Sequence, residues 1–189
     1  MDKGFLNESL AKFRTLVITS ALALAVMICL GGVANAVEFS DKTLHGGYGC
    51  LTTLADNSGS LSQLVFDGKG KITSGVVVSN FGGLGGGFGG GEVCTFPVDP
   101  AGSSYTVNPD GTGTLTVHVG TGTAADSDEA SICAFFSGAS SHSAIVVESG
   151  GKRFDLSGLD PSVTGGGFTG TGDRDAVIRS GACNRQVGG

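Results

Sequence analysis

A seven-residue phrase that occurs twice constrains the fold of this chain more than any other feature. It reads Asp-Gly-Lys-Gly-Lys-Ile-Thr at residues 67–73 and Asp-Gly-Thr-Gly-Thr-Leu-Thr at residues 110–116. Each copy lies between two runs of β-favouring residues. Asp-Gly in that position is typical of a tight hairpin turn, because glycine adopts the positive φ that such turns require. The two phrases therefore predict two β-hairpins.

A calcium loop is the other interpretation of the phrase. An EF-hand loop requires acidic or amide ligands at alternating positions and a distal glutamate. Lysine or threonine occupies the alternate positions of both copies. The sequence therefore favours turns over metal loops, and we predict no metal and no cofactor.

The high glycine content of the whole chain favours strands over helices. The sequence contains 35 glycines but only 4 prolines, and it lacks the Gly-X-Y period of collagen. Each glycine inside a helix costs roughly 1 kcal/mol, so a helical fold is disfavoured. Glycine interleaved with valine, phenylalanine and threonine is typical of many short strands joined by tight turns.

The first 36 residues have the pattern of a secretory signal peptide. Three basic residues precede an uncharged run at 16–33, which ends in Ala34-Asn35-Ala36. This predicts cleavage before Val37, leaving one domain at 37–189; an uncleaved anchor helix is the alternative. Cys29 follows the bulky Ile28, unlike a lipid-attachment cysteine. The mature chain is predicted to be periplasmic or extracellular, with no membrane span.

The predicted mature chain is acidic, with 8 basic and 15 acidic residues and a net charge of −7. Nucleic acids and anionic membrane surfaces both require a basic face, so we expect neither as a partner. Four cysteines remain after cleavage, an even number that predicts two disulfide bonds in an exported protein. None has the Cys-x-x-Cys spacing of a zinc site.

Alternating and β-favouring runs predict nine or ten strands with no helix. We place them at 47–55, 60–66, 71–79, 92–98, 104–108, 114–119, 130–137, 142–148, 153–157 and 167–178. Short connections predict an all-β, antiparallel up-and-down meander that closes into a small barrel, with a two-layer sandwich as the alternative. Closure would pair the first strand with the last. It therefore predicts the disulfide bonds Cys50–Cys183 and Cys94–Cys133.

The chain resembles a family of exported bacterial Gly-rich proteins of unassigned function. The resemblance is carried by Gly46-Gly47-Tyr48, by the segment 66–75 around the first Asp-Gly phrase, and by 105–113 around the second. It implies a small β-barrel and transfers no catalytic residue. The Gly-rich segment at 81–91 and the four cysteines depart from the family pattern.

The Gly-rich segment at 81–91 is either a flexible loop or the edge of a Gly-rich strand. It formally contains the dinucleotide fingerprint Gly85-x-Gly87-x-x-Gly90, but a strand follows it where a helix N-terminus would have to hold the pyrophosphate. We therefore predict no nucleotide cofactor. Phe81, Leu84 and Phe88 either plug one end of the barrel or contact a partner.

Other candidate groups favour plain structural interpretations. Acidic clusters at 126–129 and 173–175 are typical of solvated loops. The segment 140–143 with Asp155 suggests a Ser–His–Asp triad, but adjacent strand residues point to opposite faces. His45, His118 and His142 lie on separate predicted strands, so a shared metal is disfavoured.

Three functions stay open from the sequence. The first is a non-enzymatic exported barrel that binds a small apolar ligand or an envelope partner. The second is a structural or interaction protein that uses the segment 81–91, and the third is a barrel isomerase or cyclase. Aromatic residues are numerous enough to fill the lumen, which favours a filled core over a ligand pocket. They are Phe66, Phe96, Tyr105, Phe135, Phe136, Phe154 and Phe168.

Overall fold

The computed structural model describes residues 38–54, 58–81, 92–125, 130–166 and 179–186. The chain divides into two compact units, Met1–Val37 and Glu38–Gly189. The first unit lies outside the described residues, and so does the predicted signal peptide. Within the described part, no helix is long and apolar enough to cross a membrane.

The described residues form ten strands in a single antiparallel sheet. A short helix, α1 (Ala130–Phe136), and two 3-10 turns, Asp41–Thr43 and Ser149–Gly151, accompany them. The strands are β1 His45–Leu54, β2 Gly59–Asp67, β3 Ile72–Asn80, β4 Val93–Pro97, β5 Ser104–Val107, β6 Thr112–His118, β7 Thr123–Ala124, β8 Ala139–Val147, β9 Arg153–Gly165 and β10 Arg179–Arg185.

The sheet curls so that its two ends meet. Its strand order is β5-β6-β8-β9-β10-β1-β2-β3-β4-β7, with the first and last long strands of the chain paired at the centre. Isolated bridges join Lys71 to Ser104 and Val98 to Val119 across the seam. The amide of Asp99 also donates to the carbonyl of His118, 2.9 Å away. The predicted small antiparallel barrel is confirmed.

The barrel departs from a strict meander at two places. β6 pairs with β8, because the intervening two-residue strand β7 pairs instead with the outer edge of β4. β5 contacts the residue just before β3, Lys71, through an isolated bridge rather than a full ladder.

The segment at 130–137 is a helix, and the predicted strand there is wrong. Ile132, Cys133 and Phe136 are buried, a spacing that places them on one side of a helix. The hydroxyl of Ser137 donates to the carbonyl of Cys133 (2.8 Å) and accepts from the amide of Gly122 (2.9 Å). An apolar run this short fits strand or helix equally well by composition.

Both Asp-Gly phrases are hairpin turns, as predicted. Asp67 Oδ1 accepts hydrogen bonds from the amides of Lys69 (2.7 Å) and Lys71 (3.0 Å). Asp110 Oδ1 accepts from the amide of Thr112 at 2.9 Å. Gly68 and Gly111 have φ values of 74° and 86°, the region that L side chains rarely adopt. The Asp side chain thus closes each turn around a left-handed glycine.

Two disulfide bonds, Cys50–Cys183 and Cys94–Cys133, join the same pairs that the closure argument predicts. Cys50 and Cys183 lie directly opposite each other in the β1–β10 ladder. Cys183 is therefore inside a strand, whereas the sequence placed it beyond the last strand. The predicted final strand at 167–178 lies outside the described residues.

Candidate functional site

One end of the barrel lumen, here called the lower end, is filled by an aromatic cluster. The ring of Phe66 lies 5.1 Å from that of Tyr48, 5.0 Å from that of Tyr105 and 5.7 Å from that of Phe154, measured between centroids. Their edge-to-face geometry is the favourable one for aromatic pairs. All four side chains are buried. This end of the lumen has no room for a ligand.

Both tyrosine hydroxyls of the cluster are satisfied by backbone. Tyr48 donates to the carbonyl of Gly151, and the Tyr105 hydroxyl lies 2.9 Å from the carbonyl oxygen of Leu44. Burial raises the pKa of each tyrosine above its usual value. Neither hydroxyl is poised to act as a base, so the cluster is structural.

The upper half of the lumen carries hydroxyl side chains among apolar ones. Two adjoining cavities of about 40 and about 30 Å³ share the side chains of Val77, Val117 and Ser141. We call them together the serine chamber. Its hydroxyl-bearing lining consists of Thr52, Ser60, Ser62, Ser79, Ser141 and Ser143.

The serine chamber has room for small molecules only. Two of its hydroxyls, on Thr52 and Ser60, bond to each other at 2.5 Å between their oxygens. Ser79 and Ser143 are only 7% and 5% exposed. Cavities of about 40 and about 30 Å³ suit water or a very small guest.

The upper end of the chamber is closed by two stacked phenylalanines. The rings of Phe81 and Phe136 are 4.4 Å apart and nearly parallel, at 16°. Phe136 belongs to α1, which the Cys94–Cys133 disulfide ties to β4. Phe81 is 4% exposed. It is a core residue at this end of the barrel, and its contact with a partner stays a prediction.

The other two predicted contact residues, Leu84 and Phe88, lie outside the described residues. So do the fingerprint glycines at 85–90, the acidic clusters at 126–129 and 173–175, and Phe168. Two other predicted lumen fillers are placed: Phe96 is buried and lines the chamber, whereas Phe135 packs against the core only partly buried.

Two of the large apolar side chains that are exposed among the described residues lie side by side on β1 and β2, whereas Val146 and Leu159 lie on β8 and β9. Leu51 and Leu61 are 58% and 61% exposed and lie directly opposite each other in the β1–β2 ladder. The register continues this row to Ala182 on β10 and to Val78 on β3. We call the row Ala182–Leu51–Leu61–Val78 the ridge.

A groove runs beside the ridge, two residues further along each strand. Asn184, Gly49, Gln63 and Val76 form this second row. Gly49 has no side chain, and the side chain of Gln186 lies over its backbone. The Gln63 amide Nε2 donates to Gln186 Oε1 at 2.9 Å along one side. The groove has a volume of about 380 Å³.

In the upper half of β1 and β2, hydroxyl side chains face the lumen and leucines face outward. On β2, Ser60 and Ser62 face the lumen whereas Leu61 faces outward. On β1, Thr52 faces the lumen whereas Leu51 faces outward. A sheet that buries one face normally places its leucines inside. Leu51 and Leu61 therefore form a small exposed apolar patch on the outside of the barrel.

The ridge and groove carry no formal charge. Neither do their ladder partners on β4, Thr95 and Pro97, so five adjacent strands share an uncharged outer wall. Charged side chains begin beyond it, at the turn around Asp67 and on β9, where Arg153 pairs with Asp155 at 2.8 Å. We call this surface the neutral wall.

The histidines form separate structural pairs. His118 Nδ1 lies 2.8 Å from Ser140 Oγ, its direct neighbour across the β6–β8 ladder. Its Nε2 is 3.8 Å from Asp99 Oδ2, beyond hydrogen-bond range. The nearby amides of Asp99 and Val119 already donate to carbonyls, so they cannot stabilise an oxyanion. This Ser–His–Asp set lacks the geometry of a nucleophilic triad.

His142 and His45 also contact other polar side chains. His142 bonds to Thr164 (2.9 Å) and Thr116 (3.3 Å), whereas His45 lies 2.6 Å from the Arg185 guanidinium. Ser141 and Ser143 line the lumen on the face opposite His142, as the strand argument predicts. Within the described segments, no three His, Cys, Asp or Glu side chains converge as metal ligands would.

Sequence comparisons place the chain in no family, since no family model and no curated protein matches it. Solved structures with similar folds are designed β-barrels. A de novo fluorescence-activating barrel is 11% identical, with a TM-score of 0.39 over 77% of this chain and 96% of that chain. A redesigned barrel, mFAP1, bound to DFHBI, is 13% identical, with a TM-score of 0.40 over 77% and 97%. At these identities and TM-scores, the likeness carries nothing about the function of this chain.

Proposed function

We propose that this protein is an exported, non-enzymatic β-barrel that binds an envelope partner through its neutral wall. The observation that carries the proposal is the inverted polarity of β1 and β2, which exposes Leu51 and Leu61 while serines and threonine face the lumen. An interface core is depleted in charge and rich in large apolar groups. The neutral wall has both properties.

The size of the serine chamber favours a binding surface over a lumen ligand. Pockets for drug-sized ligands have volumes of roughly 300–1,000 Å³. The two cavities of the serine chamber, about 40 and about 30 Å³, are far smaller.

Export is part of the proposal. Two disulfide bonds fit an oxidising compartment. The signal-like sequence at 1–36 provides the route. A disulfide between the first and last strands would also keep the barrel closed outside the cell, where no chaperone repairs it.

Photo-crosslinking from single positions in cells of the source organism tests the proposal. A photoreactive residue at position 61 samples the neutral wall, and one at position 146 is the matched control, because Val146 is 57% exposed on the far side of the barrel. We expect a discrete adduct from position 61 and none from position 146. Equal labelling from both positions would show that the wall is ordinary surface.

A small polar ligand in the lumen is the second candidate function. The observation that favours it is the set of hydroxyl side chains that line the two cavities, among them Ser79, Ser141 and Ser143. A guest larger than a few water molecules would have to displace Phe81 from its stack on Phe136. Small apolar ligands suit this hydroxyl lining less well than hydrogen-bonding ones.

A further inference from the structure

We infer that α1 is a plug over the upper end of the lumen, and that the Cys94–Cys133 disulfide bond holds this plug closed once the chain is oxidised. The serine chamber is then accessible in the reduced chain and sealed in the oxidised one. The plug acts on the lumen, so it goes beyond the proposed function of the neutral wall and does not depend on it.

The two ends of the barrel are closed in different ways. The rings that close the lower end belong to strands of the sheet, so opening that end would break strand ladders. At the upper end, the ring of Phe136 stacks on that of Phe81, and both rings line the larger cavity of the serine chamber. Phe136 belongs to α1, which is not part of the sheet. Lifting α1 would therefore uncover the chamber and leave every ladder intact.

Apart from the disulfide bond, α1 is held by few interactions. It has seven residues, and isolated helices shorter than roughly 12 residues are marginal in water. Its contacts with the barrel include the buried side chains of Ile132 and Phe136 and the bond from the amide of Gly122 to the Ser137 hydroxyl, at 2.9 Å. Burial of two side chains and one hydrogen bond favours the closed position but does not fix it.

The residue that follows the plug has the properties of a hinge. Gly138 has a φ of 73°, and it separates α1 from the first residue of β8, Ala139. A Cβ at Gly138 would meet no atom within 4 Å, so the backbone there has space to turn. Glycine tolerates both signs of φ, so rotation about this residue carries little conformational cost.

The disulfide bond fixes the middle of the plug to the barrel wall. Cys133 lies in the centre of α1, and Cys94 lies on β4. The two cysteines are 1% and 0% exposed. An attacking thiolate needs access to a sulfur atom, so the bond resists exchange once the plug is closed. The plug therefore closes once and stays closed.

Closure is a two-electron oxidation. The Sγ atoms of Cys94 and Cys133 form one S–S bond, and the two thiols lose two protons and two electrons. A disulfide oxidant of the export compartment accepts them, so that its own S–S bond breaks and it leaves as a dithiol. Thiols stay reduced in the cytosol and become oxidised outside it. The chamber is thus open before export and sealed after it.

Thiol labelling of the chamber tests the inference on the exported form of the chain. Ser141 lines both cavities, so Ser141→Cys places a reactive thiol inside, and methyl methanethiosulfonate serves as the small probe. We expect slow labelling while the Cys94–Cys133 bond is present. Adding Cys94→Ala and Cys133→Ala should speed labelling at least about tenfold, because losing the tether raises the open population.

Hydrogen exchange provides a second measurement that needs no added cysteine. We expect the amides of residues 130–138 to exchange faster in Cys94→Ala, Cys133→Ala than in wild type, whereas the amides of β1 and β10 keep their protection. This comparison decides the case if Ser141→Cys disturbs the native disulfide pairing.

The other disulfide bond supplies the matched control. Cys50→Ala with Cys183→Ala removes a bond within the wall, between β1 and β10, and leaves the plug tethered. We expect this pair of substitutions to lower the melting temperature at least as much, yet to leave labelling at position 141 slow. All rates are measured well below the lowest melting temperature.

Two outcomes would overturn the inference. Unchanged labelling and exchange without the Cys94–Cys133 bond would show that the plug stays closed without it. Equal acceleration in the two pairs of variants would show that the probe enters through unfolding of the whole barrel. Crosslinks from position 61 test the neutral wall separately, so either proposal can fail while the other stands.

Discussion

The hydroxyl of Tyr48, on the first strand, donates a hydrogen bond to the carbonyl oxygen of Gly151, 103 residues further along the chain. Tyr48 is fully buried, and its ring packs 5.5 Å from that of Phe154, just beyond that turn. The contact ties β1 to the turn that joins β8 and β9. The lower end of the barrel is thus closed by an aromatic side chain and a single polar atom.

Replacing Tyr48 by phenylalanine keeps the packing and removes this bond. The carbonyl of Gly151 is then left without its donor, which is expected to destabilise the fold by about 1–3 kcal/mol. Urea denaturation measures the change. Tyr105→Phe, which removes the hydroxyl near Leu44, should behave alike. Wild-type stability in both variants would show that these hydroxyls do not support the lower end.

The two turn aspartates predict a dependence of stability on acid. Backbone hydrogen bonds, chiefly from Lys71, hold the pKa of Asp67 below its usual value, and the hydroxyl and amide of Thr112 do so for Asp110. A lowered folded-state pKa stabilises the fold fully above the unfolded pKa, about 3.9. That contribution is lost as the pH falls through the folded pKa.

The double variant Asp67→Asn, Asp110→Asn retains an oxygen acceptor but cannot titrate. We expect its melting temperature to fall less steeply than that of wild type as the pH is lowered from about 5. Thermal unfolding at a series of pH values measures this. Parallel curves for both proteins would mean that the turn carboxylates do not contribute to acid stability.

The two disulfide bonds are expected to differ in their effect on stability. Cys50 and Cys183 are 133 residues apart, and Cys94 and Cys133 are 39 apart. The chain-entropy relation gives about 5 kcal/mol for the longer loop and about 4 kcal/mol for the shorter. Replacing both cysteines of one disulfide by alanine, for each disulfide in turn, and comparing the denaturant midpoints measures the two contributions. A larger loss for the Cys94–Cys133 pair would indicate that fixing α1 matters more than closing β1 on β10.

Some glycines inside the sheet have no room for a side chain, whereas others could accept one. A Cβ at Gly113 would overlap the carbonyl oxygen of Thr106, which belongs to rigid backbone. Gly113→Ala is therefore expected to destabilise the fold by about 1–3 kcal/mol. Gly49→Ala, whose Cβ would meet only the side chain of Gln186, should change stability by less than about 1 kcal/mol. Denaturation of the two variants compares them, and equal losses would contradict this division.

The sequence predicted the barrel because its turn signals are local. Asp67 and Asp110 determine their turns through contacts within five residues, and such contacts can be inferred from the sequence. The pairing of Cys50 with Cys183 followed from closure alone. Tyr48, Cys50 and Thr52 share the lumen face, as their spacing of two predicts.

What the sequence missed depends on tertiary contacts. Helix α1 is stabilised by the burial of Ile132 and Phe136 at the barrel end and by its disulfide bond, none of which local propensity reports. The alternation of Leu51 with Thr52 and of Ser60 with Leu61 is visible in the sequence, and it places the leucines on the opposite face from the hydroxyls. The sequence does not show which of the two faces points into the lumen, because that depends on how the sheet closes.

Native mass spectrometry of the protein purified from its source distinguishes a filled barrel that binds through its wall from one that carries a ligand in its lumen. We expect the mass of the disulfide-bonded polypeptide starting at Val37, with no small molecule retained. A retained molecule that persists in Leu61→Lys and is lost in Ser143→Val would place the binding site in the lumen and contradict binding through the wall.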